Sequence, residues 1–287
     1  MTKRVLVTGV NGQVGSAIMA LKHDYSFDFI YIERADWDMA KNPKSAYELI
    51  RKNKPDLVIN PAAYTNVDQA EEEQETAYIV NATAVGELAK ACKESNIPLL
   101  HLSTDYVFDG TKKTPYTEKD RINPINFYGK SKADGEKLIY NILQQYIILR
   151  TSWIFSNTGN NFVNTMRRLG RERDELKVVN DQQGGPTPAS CIAKVLLEIS
   201  LKYLTRKIVP WGLYHYSGEP AVTWYDFADR IFQSSIESER PKLIPCTSAD
   251  FFTKASRPHN SVMSSTLIKK VMGVGKCNWK EKLNENK

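Results

Sequence analysis

A phenol and an ammonium group four residues apart, Tyr128 and Lys132, are the side chains of this 287-residue sequence best suited to delivering a proton. They lie in Tyr128-Gly129-Lys130-Ser131-Lys132, just after Asn123-Pro124-Ile125-Asn126, at the start of a run that predicts a helix to about Gln144. Residues i and i+4 share one face of a helix, so both side chains reach into the same cleft. A buried cation beside a phenol favours the phenolate, so Lys132 is expected to lower the pKa of Tyr128 and make it a better acid near neutral pH. In a Lys-rich chain with 14 tyrosines, a Tyr-x-x-x-Lys pair arises about once by chance. An exposed helical pair would look the same, so the surroundings must decide.

Those surroundings read as alternating strand and helix. Residues 4–8, Arg-Val-Leu-Val-Thr, predict a buried parallel strand, and Gly9-Val10-Asn11-Gly12-Gln13-Val14-Gly15 follows at once. Glycines there let the backbone turn tightly and approach a pyrophosphate, whose charge suits the N-terminus of the next helix. The spacing is Gly9-x-x-Gly12-x-x-Gly15 rather than the Gly-x-Gly-x-x-Gly of many dehydrogenases. The strand Phe29-Ile30-Tyr31-Ile32 ends in Glu33-Arg34. An acid at this distance can accept from the adenosine ribose and favours NAD, whereas an arginine can pair with the extra phosphate of NADP. The two signals oppose each other, and Asp38 can instead meet the adenine. A helix around Pro43 to Lys52 and the strand Asp56 to Asn60 come next, opening into Pro61-Ala62-Ala63-Tyr64-Thr65, where small residues leave room for a cofactor beyond a strand end. The run Glu71-Glu72-Glu73 reads as a structural, acidic helix opening, and the helical segment Val80 to Cys92 carries Asn81 facing inward.

The strand Pro98 to Leu102 ends at Ser103-Thr104-Asp105-Tyr106, so a hydroxyl from Ser103 or Thr104 stands at the same edge as the cofactor and can hydrogen-bond a substrate carbonyl. A polar strand-ending turn is the plainer alternative; only convergence with Tyr128 and Lys132 separates the two. Tyr146 to Arg150 is another strand, and Asn161 is an N-cap for a helix from Phe162 to Arg171. A turn-rich loop spans Asp181 to Pro188, followed by a helix from Cys191 to Tyr203, a strand from Leu213 to Tyr216 and an amphipathic helix from Trp224 to Phe232. Near the end, Arg257 is fixed beside Pro258, suited to a phosphate clamp and equally to a surface turn.

Composition narrows the classes of function. With 41% hydrophobic and 25% charged residues the chain can bury a sizeable core. Its net charge of +6 comes from basic residues interleaved with acids, which argues against nucleic acid as a partner. Four cysteines far apart in sequence, without Cys-x-x-Cys or histidine at metal spacing, indicate reduced thiols and no metal. No apolar leader or membrane-length run is present, so a cytoplasmic location and no membrane partner are expected.

Taken together, the motifs resemble the extended short-chain dehydrogenase/reductase family over nearly the whole chain. The resemblance rests on Gly9-x-x-Gly12-Gln13-Val14-Gly15, on Ala62-Ala63-Tyr64-Thr65-x-Val67-Asp68-x-Ala70-Glu71, and on Ser103-Thr104-Asp105-Tyr106-Val107-Phe108. It continues through Tyr128-Gly129-x-x-Lys132, Arg150-Thr151-Ser152-Trp153, Gly159-Asn160-Asn161-Phe162, Asn180-Asp181-Gln182 and Ala255-Ser256-Arg257-Pro258. It implies an α/β fold, a Rossmann-type doubly wound parallel sheet with a smaller, discontinuous substrate lobe. It implies NADPH or NADH as cofactor and hydride delivery to the C4 keto carbon of a nucleotide-linked 6-deoxyhexose, dTDP-4-dehydro-L-rhamnose foremost. Tyr128 would protonate the oxygen, Thr104 polarise the carbonyl, and Lys132 hold the nicotinamide ribose. Gly9, Gly12, Gln13, Val14, Gly15, Glu33, Arg34, Asp38, Met39, Ala62, Ala63, Tyr64, Thr65 and Ser103 would line the cofactor, with Tyr128 and Lys132. Thr104, Asp105, Tyr106 and Trp153 would meet the sugar nucleotide. Arg257 is assigned to its diphosphate on charge alone.

Two departures from the family stand out. Tyr64 replaces a common histidine, and the residues after Trp279 lack the acidic contacts that link some members into metal-bound dimers, so a homodimer is left open without a metal. Residues 1–152 with 187–217 are expected to form the dinucleotide-binding domain, and 153–186 with 218–287 the sugar-nucleotide lobe. A different nucleotide-linked 4-keto-6-deoxy sugar is the nearest alternative. Relatives that also epimerise place a cysteine beside the catalytic Ser/Thr, and this chain has none there. A non-catalytic regulatory subunit of the same fold is the more distant alternative.

Overall fold

Short apolar runs, most of them closed by a glycine, proline or small polar residue, give the chain its alternation of strand and helix. In the computed structural model, which describes residues 2–234 and 240–283, the first five elements are β1 (Lys3–Thr8), α1 (Gln13–Ala20), β2 (Phe27–Ile32), α2 (Ala46–Asn53) and β3 (Leu57–Asn60). Next come α3 (Gln74–Tyr78), α4 (Ala84–Glu94), β4 (Leu99–Thr104), α5 (Phe127–Ile142) and β5 (Tyr146–Thr151). The chain continues through β6 (Ile154–Phe155), α6 (Phe162–Glu172), β7 (Glu175–Val179), β8 (Gln183–Gly184), β9 (Thr187–Pro188), α7 (Ala189–Leu204) and β10 (Gly212–His215). It closes with β11 (Val222–Thr223), α8 (Trp224–Gln233), β12 (Lys242–Cys246), α9 (Thr266–Met272) and α10 (Trp279–Lys282).

The described residues build a six-stranded sheet in the order β10-β5-β4-β3-β1-β2, with every neighbouring pair parallel. Every residue of β3 and β4 is buried, because helices cover both faces of the sheet. One face packs Val5, Val7, Ile59 and Leu149 against Ile18 of α1, Ile192 and Leu196 of α7, and Ile268 of α9. The other packs Leu6, Val58 and Ile148 against Ile50 of α2, Leu88 of α4 and Ile139 of α5. The strand order reverses between β1 and β3, and in sheets of this kind ligands bind outside the strand ends at such a reversal.

A separate core gathers Phe155, Val163, Met166, Leu176, Val178, Phe227, Ile231 and Trp279, with β7 and β12 paired in parallel beside it. β12 and α9 were not predicted from sequence. In β12, Lys-Leu-Ile-Pro-Cys carries a proline and has one partner strand, so its run reads as loop.

One expectation changes here. The acidic run Glu71-Glu72-Glu73 precedes α3 instead of opening it, and its carboxylates make tertiary bonds described below. Cys191 and Cys277, distant in sequence, come together as free thiols, and the hydrogen bond between them leads burial in pushing the Cys277 pKa up. No helix among the described residues is long and apolar enough to cross a membrane. Residues 284–287 of the tail, where the dimer contacts were considered, lie outside the described residues.

Candidate active site

A cleft of about 600 Å³ opens at the β1/β3 reversal. All sixteen residues expected at the cofactor line it, from Gly9, Gly12, Gln13, Val14 and Gly15 through Glu33, Arg34, Asp38 and Met39 to Ala62, Ala63, Tyr64, Thr65, Ser103, Tyr128 and Lys132. The glycine turn is required sterically at two points. Gly9 has φ +58°, and a Cβ there would stand 2.8 Å from Ala62 Cα; a Cβ on Gly15 would stand 2.3 Å from Gly9 O. The turn therefore lies flat against the β3 loop, and α1 starts with no side-chain cap on its first N–H groups, the arrangement that receives a pyrophosphate. Gln13 ties the turn to the far rim, its Oε1 accepting from Ser156 Oγ at 2.9 Å and Asn161 Nδ2 at 3.0 Å. Asn161 also caps α6, as its position predicted.

After β2, Arg34 is exposed and its Nε stands 3.4 Å from Asp38 Oδ2. Asp38 is a turn-former as well, accepting from the N–H groups of Ala40 at 3.0 Å and Lys41 at 3.3 Å. Those bonds and Arg34 outweigh desolvation and hold its carboxyl below the usual range. Asn81, on a π-helical turn over Ile79–Thr83, holds the wall at Tyr64: its amide spans the Tyr64 N–H and C=O at 2.9 and 3.0 Å and reaches Ser131 Oγ at 3.0 Å.

The catalytic helix α5 is held at its first turn. Asn126 caps it, accepting from Gly129 N at 2.7 Å, while Asn126 Nδ2 donates to Ser256 O at 2.8 Å. Glu71 Oε1 accepts from Phe127 N at 2.8 Å, Glu73 accepts from Tyr64 Oη at 2.8 Å, and Glu72 pairs with Lys254. Each acid thus ties down a different segment, and only Glu73 with Tyr64 does so on the cleft lining. Asn126 was findable, since an asparagine before a helical run is a cap signal. The targets of the three glutamates depend on tertiary placement and leave no local trace.

Tyr128 and Lys132 are both buried and face the cleft, as expected. The pKa expectation for Tyr128 is corrected. Burial, the largest cause, pushes the phenol up to about 12; Thr104 opposes this through a hydrogen bond and Asp105 adds to it. Lys132 does not stabilise the phenolate in this arrangement because its Nζ is directed elsewhere, donating to Leu102 O at 2.7 Å and standing 3.2 Å from His101 Nε2. Burial draws Lys132 down to about 8, against the pull of Glu136.

Thr104 ends β4 beside the phenol. Its Oγ1 donates to Asp105 Oδ1 at 3.1 Å and accepts from Tyr106 N at 3.2 Å. Burial pushes the Asp105 carboxyl up to about 6, tempered by Ser261 and Thr104. Its Oδ2 meets no partner at hydrogen-bond geometry among the described residues. The Tyr106 ring sets its edge against Tyr128, centroids 5.8 Å apart.

None of the five expected substrate residues lines the cofactor cleft: Thr104, Asp105 and Tyr106 stand beside Tyr128, and Trp153 and Arg257 are engaged elsewhere. Trp153, with φ +46°, stacks on Trp224 at 3.4 Å between centroids, and Trp224 Nε1 donates to Gln182 Oε1 at 3.2 Å. Trp224 was predicted only as part of a helix. Arg257 is directed at Asp68, with N–O distances of 2.6 and 3.1 Å, and borders Tyr106. Its guanidinium thus joins the C-terminal loop to the loop after β3.

A parallel sheet whose glycine turn and Tyr-x-x-x-Lys helix meet at one carboxyl edge defines the extended short-chain dehydrogenase/reductase class. Residues 3–286 match the family model described as RmlD substrate binding domain, and the chain belongs to that family. A protein of Aggregatibacter actinomycetemcomitans named dTDP-4-dehydrorhamnose reductase is 44% identical over 285 residues, 98% of this chain and 97% of that protein. The crystal structure of a dTDP-4-dehydrorhamnose reductase from Clostridium acetobutylicum superposes with a TM-score of 0.91 at 37% identity, covering 98% of this chain and 97% of the other. That of the Bacillus anthracis dTDP-4-dehydrorhamnose reductase, in complex with NADP, gives 0.90 at 33% identity, covering 99% and 98%.

Proposed function

We propose that this protein reduces the C4 keto group of dTDP-4-dehydro-L-rhamnose to give dTDP-L-rhamnose, a precursor for surface polysaccharide, with NADPH or NADH as reductant. The observation that carries the reading is the convergence of Thr104, Tyr128 and Lys132 beside a cleft in which Gly9 and Gly15 leave no room for a Cβ. The names of the relatives supply the sugar and nucleotide.

The residues fit a nicotinamide dinucleotide. The uncapped start of α1 and the Gly9–Gly15 turn would hold the pyrophosphate, Glu33, Arg34, Asp38 and Met39 the adenosine, and Lys132 the nicotinamide ribose. The chemistry this cofactor supplies when bound is hydride delivery to the C4 carbon. Tyr128 Oη gives its proton to the C4 oxygen, completing the hydroxyl. A phenol raised to about 12 keeps that proton at neutral pH and releases it only to an oxygen gaining negative charge. Thr104, its hydroxyl proton turned from Asp105 to the substrate, would donate a hydrogen bond to the same oxygen, and positioned proton transfer of this kind contributes roughly 10²- to 10⁴-fold in rate. Asp105, Tyr106, Trp153 and Arg257 are assigned to the sugar nucleotide.

The same reading divides the chain into residues 1–152 with 187–217 for the dinucleotide and 153–186 with 218–287 for the sugar nucleotide. Supporting this, α7 packs in the sheet core and β10 pairs with β5, while Phe155 through Trp279 gather in a core of their own. Every residue invoked comes from one chain, so a homodimer is allowed and not required. A cytoplasmic setting supplies the reduced cofactor.

The test is loss of reduced-nicotinamide absorbance when purified protein meets NADPH or NADH and dTDP-4-dehydro-L-rhamnose, with UDP-, CDP- and GDP-linked 4-keto sugars alongside. Turnover fastest with the dTDP sugar is expected. No turnover with any nucleotide-linked 4-keto sugar would sink the reading.

A further inference from the structure

The proposed chemistry gives Lys132 a task and leaves the buried histidine behind it without one. His101 lies inside β4, wholly buried. Its ring is the midpoint of a polar chain across three neighbouring strands. Thr8 Oγ1, at the end of β1, is 2.5 Å from Asn60 Oδ1. Asn60 Nδ2, at the end of β3, is 3.0 Å from His101 Nδ1, and His101 Nε2 is 3.2 Å from Lys132 Nζ. The ends of the chain, Thr8 and Lys132, both line the cofactor cleft. The two middle members have no exposed surface.

A neutral imidazole has one nitrogen that donates and one that accepts. Burial first, and then the charge of Lys132, push the His101 pKa well below its ordinary value, so the ring stays neutral. The chain can therefore run in two directions only. In one, Thr8 donates to Asn60 Oδ1, Asn60 Nδ2 donates to His101 Nδ1, and His101 Nε2–H donates to a neutral Lys132 amine. In the other, the Asn60 amide is turned over: its nitrogen donates to Thr8, its oxygen accepts from His101 Nδ1–H, and His101 Nε2 accepts from the Lys132 ammonium. Leu102 O accepts from Lys132 in both. The Lys132 ammonium, which can only donate, fixes the second direction, whereas the neutral amine, with two N–H groups and a lone pair, admits the first as well.

We propose that His101 is a positioning residue: with Asn60 and Thr8 behind it, it fixes Lys132 Nζ at the cleft wall and couples the protonation of Lys132 to the direction of a hydrogen-bond relay across β4, β3 and β1. This rests on the role proposed for Lys132. The groups facing Lys132 leave it as the one that changes charge near neutral pH. Glu136, one helical turn on, supports the ammonium and is itself held by Arg150 through bonds of 2.9 and 2.6 Å. Tyr128 stays a phenol, raised to about 12. The Lys132 charge is thus present below about 8 and lost above it. An acceptor at position 101 favours the charged form; removing that acceptor disfavours it.

The experiment is a titration of the Lys132 side-chain nitrogen by NMR in protein carrying 15N-lysine, without cofactor, beside the pH profile of kcat. His101→Leu lowers the Lys132 midpoint by about one pH unit or more, moves the alkaline limb of kcat the same way, and cuts turnover at neutral pH about ten-fold. His101→Gln, which restores an acceptor, recovers turnover to within about three-fold. Asn60→Asp, which can only accept from His101, holds the chain in its second direction and raises the midpoint by about one unit or more. A midpoint unmoved in His101→Leu overturns the proposal. Should that variant fail to fold, an unmoved or lowered midpoint in Asn60→Asp does so. If the shifts occur as stated but the wild type reduces no 4-keto sugar, the proposed function fails and the coupling stands.

Discussion

Lys132 and Arg150 are both nearly sealed from solvent, at 2% and 4% exposure, yet the protein treats them in opposite ways. Arg150, near the end of β5, has a carboxylate of its own: Glu136 takes its Nε and Nη2 at 2.9 and 2.6 Å. The Phe108 ring lies 5.2 Å from its Cζ, and His215 Nε2 is 3.3 Å from Nη1. Lys132, on the helix that also carries Glu136, finds among the described residues only neutral hydrogen-bond acceptors, Leu102 O and His101 Nε2, with Glu136 acting on it through charge and not contact. A buried cation with a bidentate carboxylate is costly to separate and holds structure. One resting on neutral groups keeps a movable pKa, which is where functional sites are found. The β5 side of α5 is thus built to stay fixed and the β4 side to change charge.

That contrast can be broken most directly at the phenol. Tyr128→Phe should lower kcat by roughly 10²- to 10⁴-fold while cofactor affinity and melting temperature stay near wild type, since the ring packing against Tyr106 is kept. Stopped-flow turnover with a fluorescence titration of NADPH reads both, and an unchanged rate would refute the proton-donor role. On the other side of the helix the order of effects reverses. Glu136→Gln leaves Arg150 buried and uncompensated, a loss of about 3–5 kcal/mol in urea unfolding. A loss smaller than about 1 kcal/mol would mean that Arg150 is held by its ring and histidine contacts alone.

How much of this could be read beforehand divides along the same line. The sheet, the glycine turn and sixteen residues of the cleft were legible, though not Thr8 or Trp37, which also line it, because strand ends, small residues and turn glycines lie together in sequence and a parallel sheet brings its strand ends together in space. Tyr128 and Lys132 were legible as a pair through helical spacing. The direction of the phenol's pKa was not. Spacing puts two groups on one face, but whether Nζ turns to the phenol or to His101 depends on what β4 offers behind it. His101 read as an ordinary strand residue, since the polar partners of a buried histidine come from other strands, here Asn60 of β3. Trp224 was hidden for a similar reason: its stacking on Trp153 joins elements far apart in sequence.

A third cation extends the comparison to the protein surface. Arg34 stands at the end of the cleft proposed for the adenosine, with its side chain 79% exposed and, among the described residues, only Asp38 Oδ2, at 3.4 Å, within ion-pair reach. An exposed guanidinium of this kind stabilises the fold little, because water and salt screen it. It is free to meet a dianionic ribose phosphate, whereas Glu33 beside it favours a ribose hydroxyl. Arg34→Ala is therefore expected to leave the melting temperature unchanged and to weaken NADPH binding by about 1 kcal/mol, roughly five-fold. NADH binding should change by less than about two-fold. Calorimetric titrations of both cofactors at low and high salt check it, with the NADPH penalty shrinking as salt rises. Equal weakening of the two cofactors would place Arg34 on the adenine rather than the phosphate, and would leave selection between them to Glu33 and Asp38.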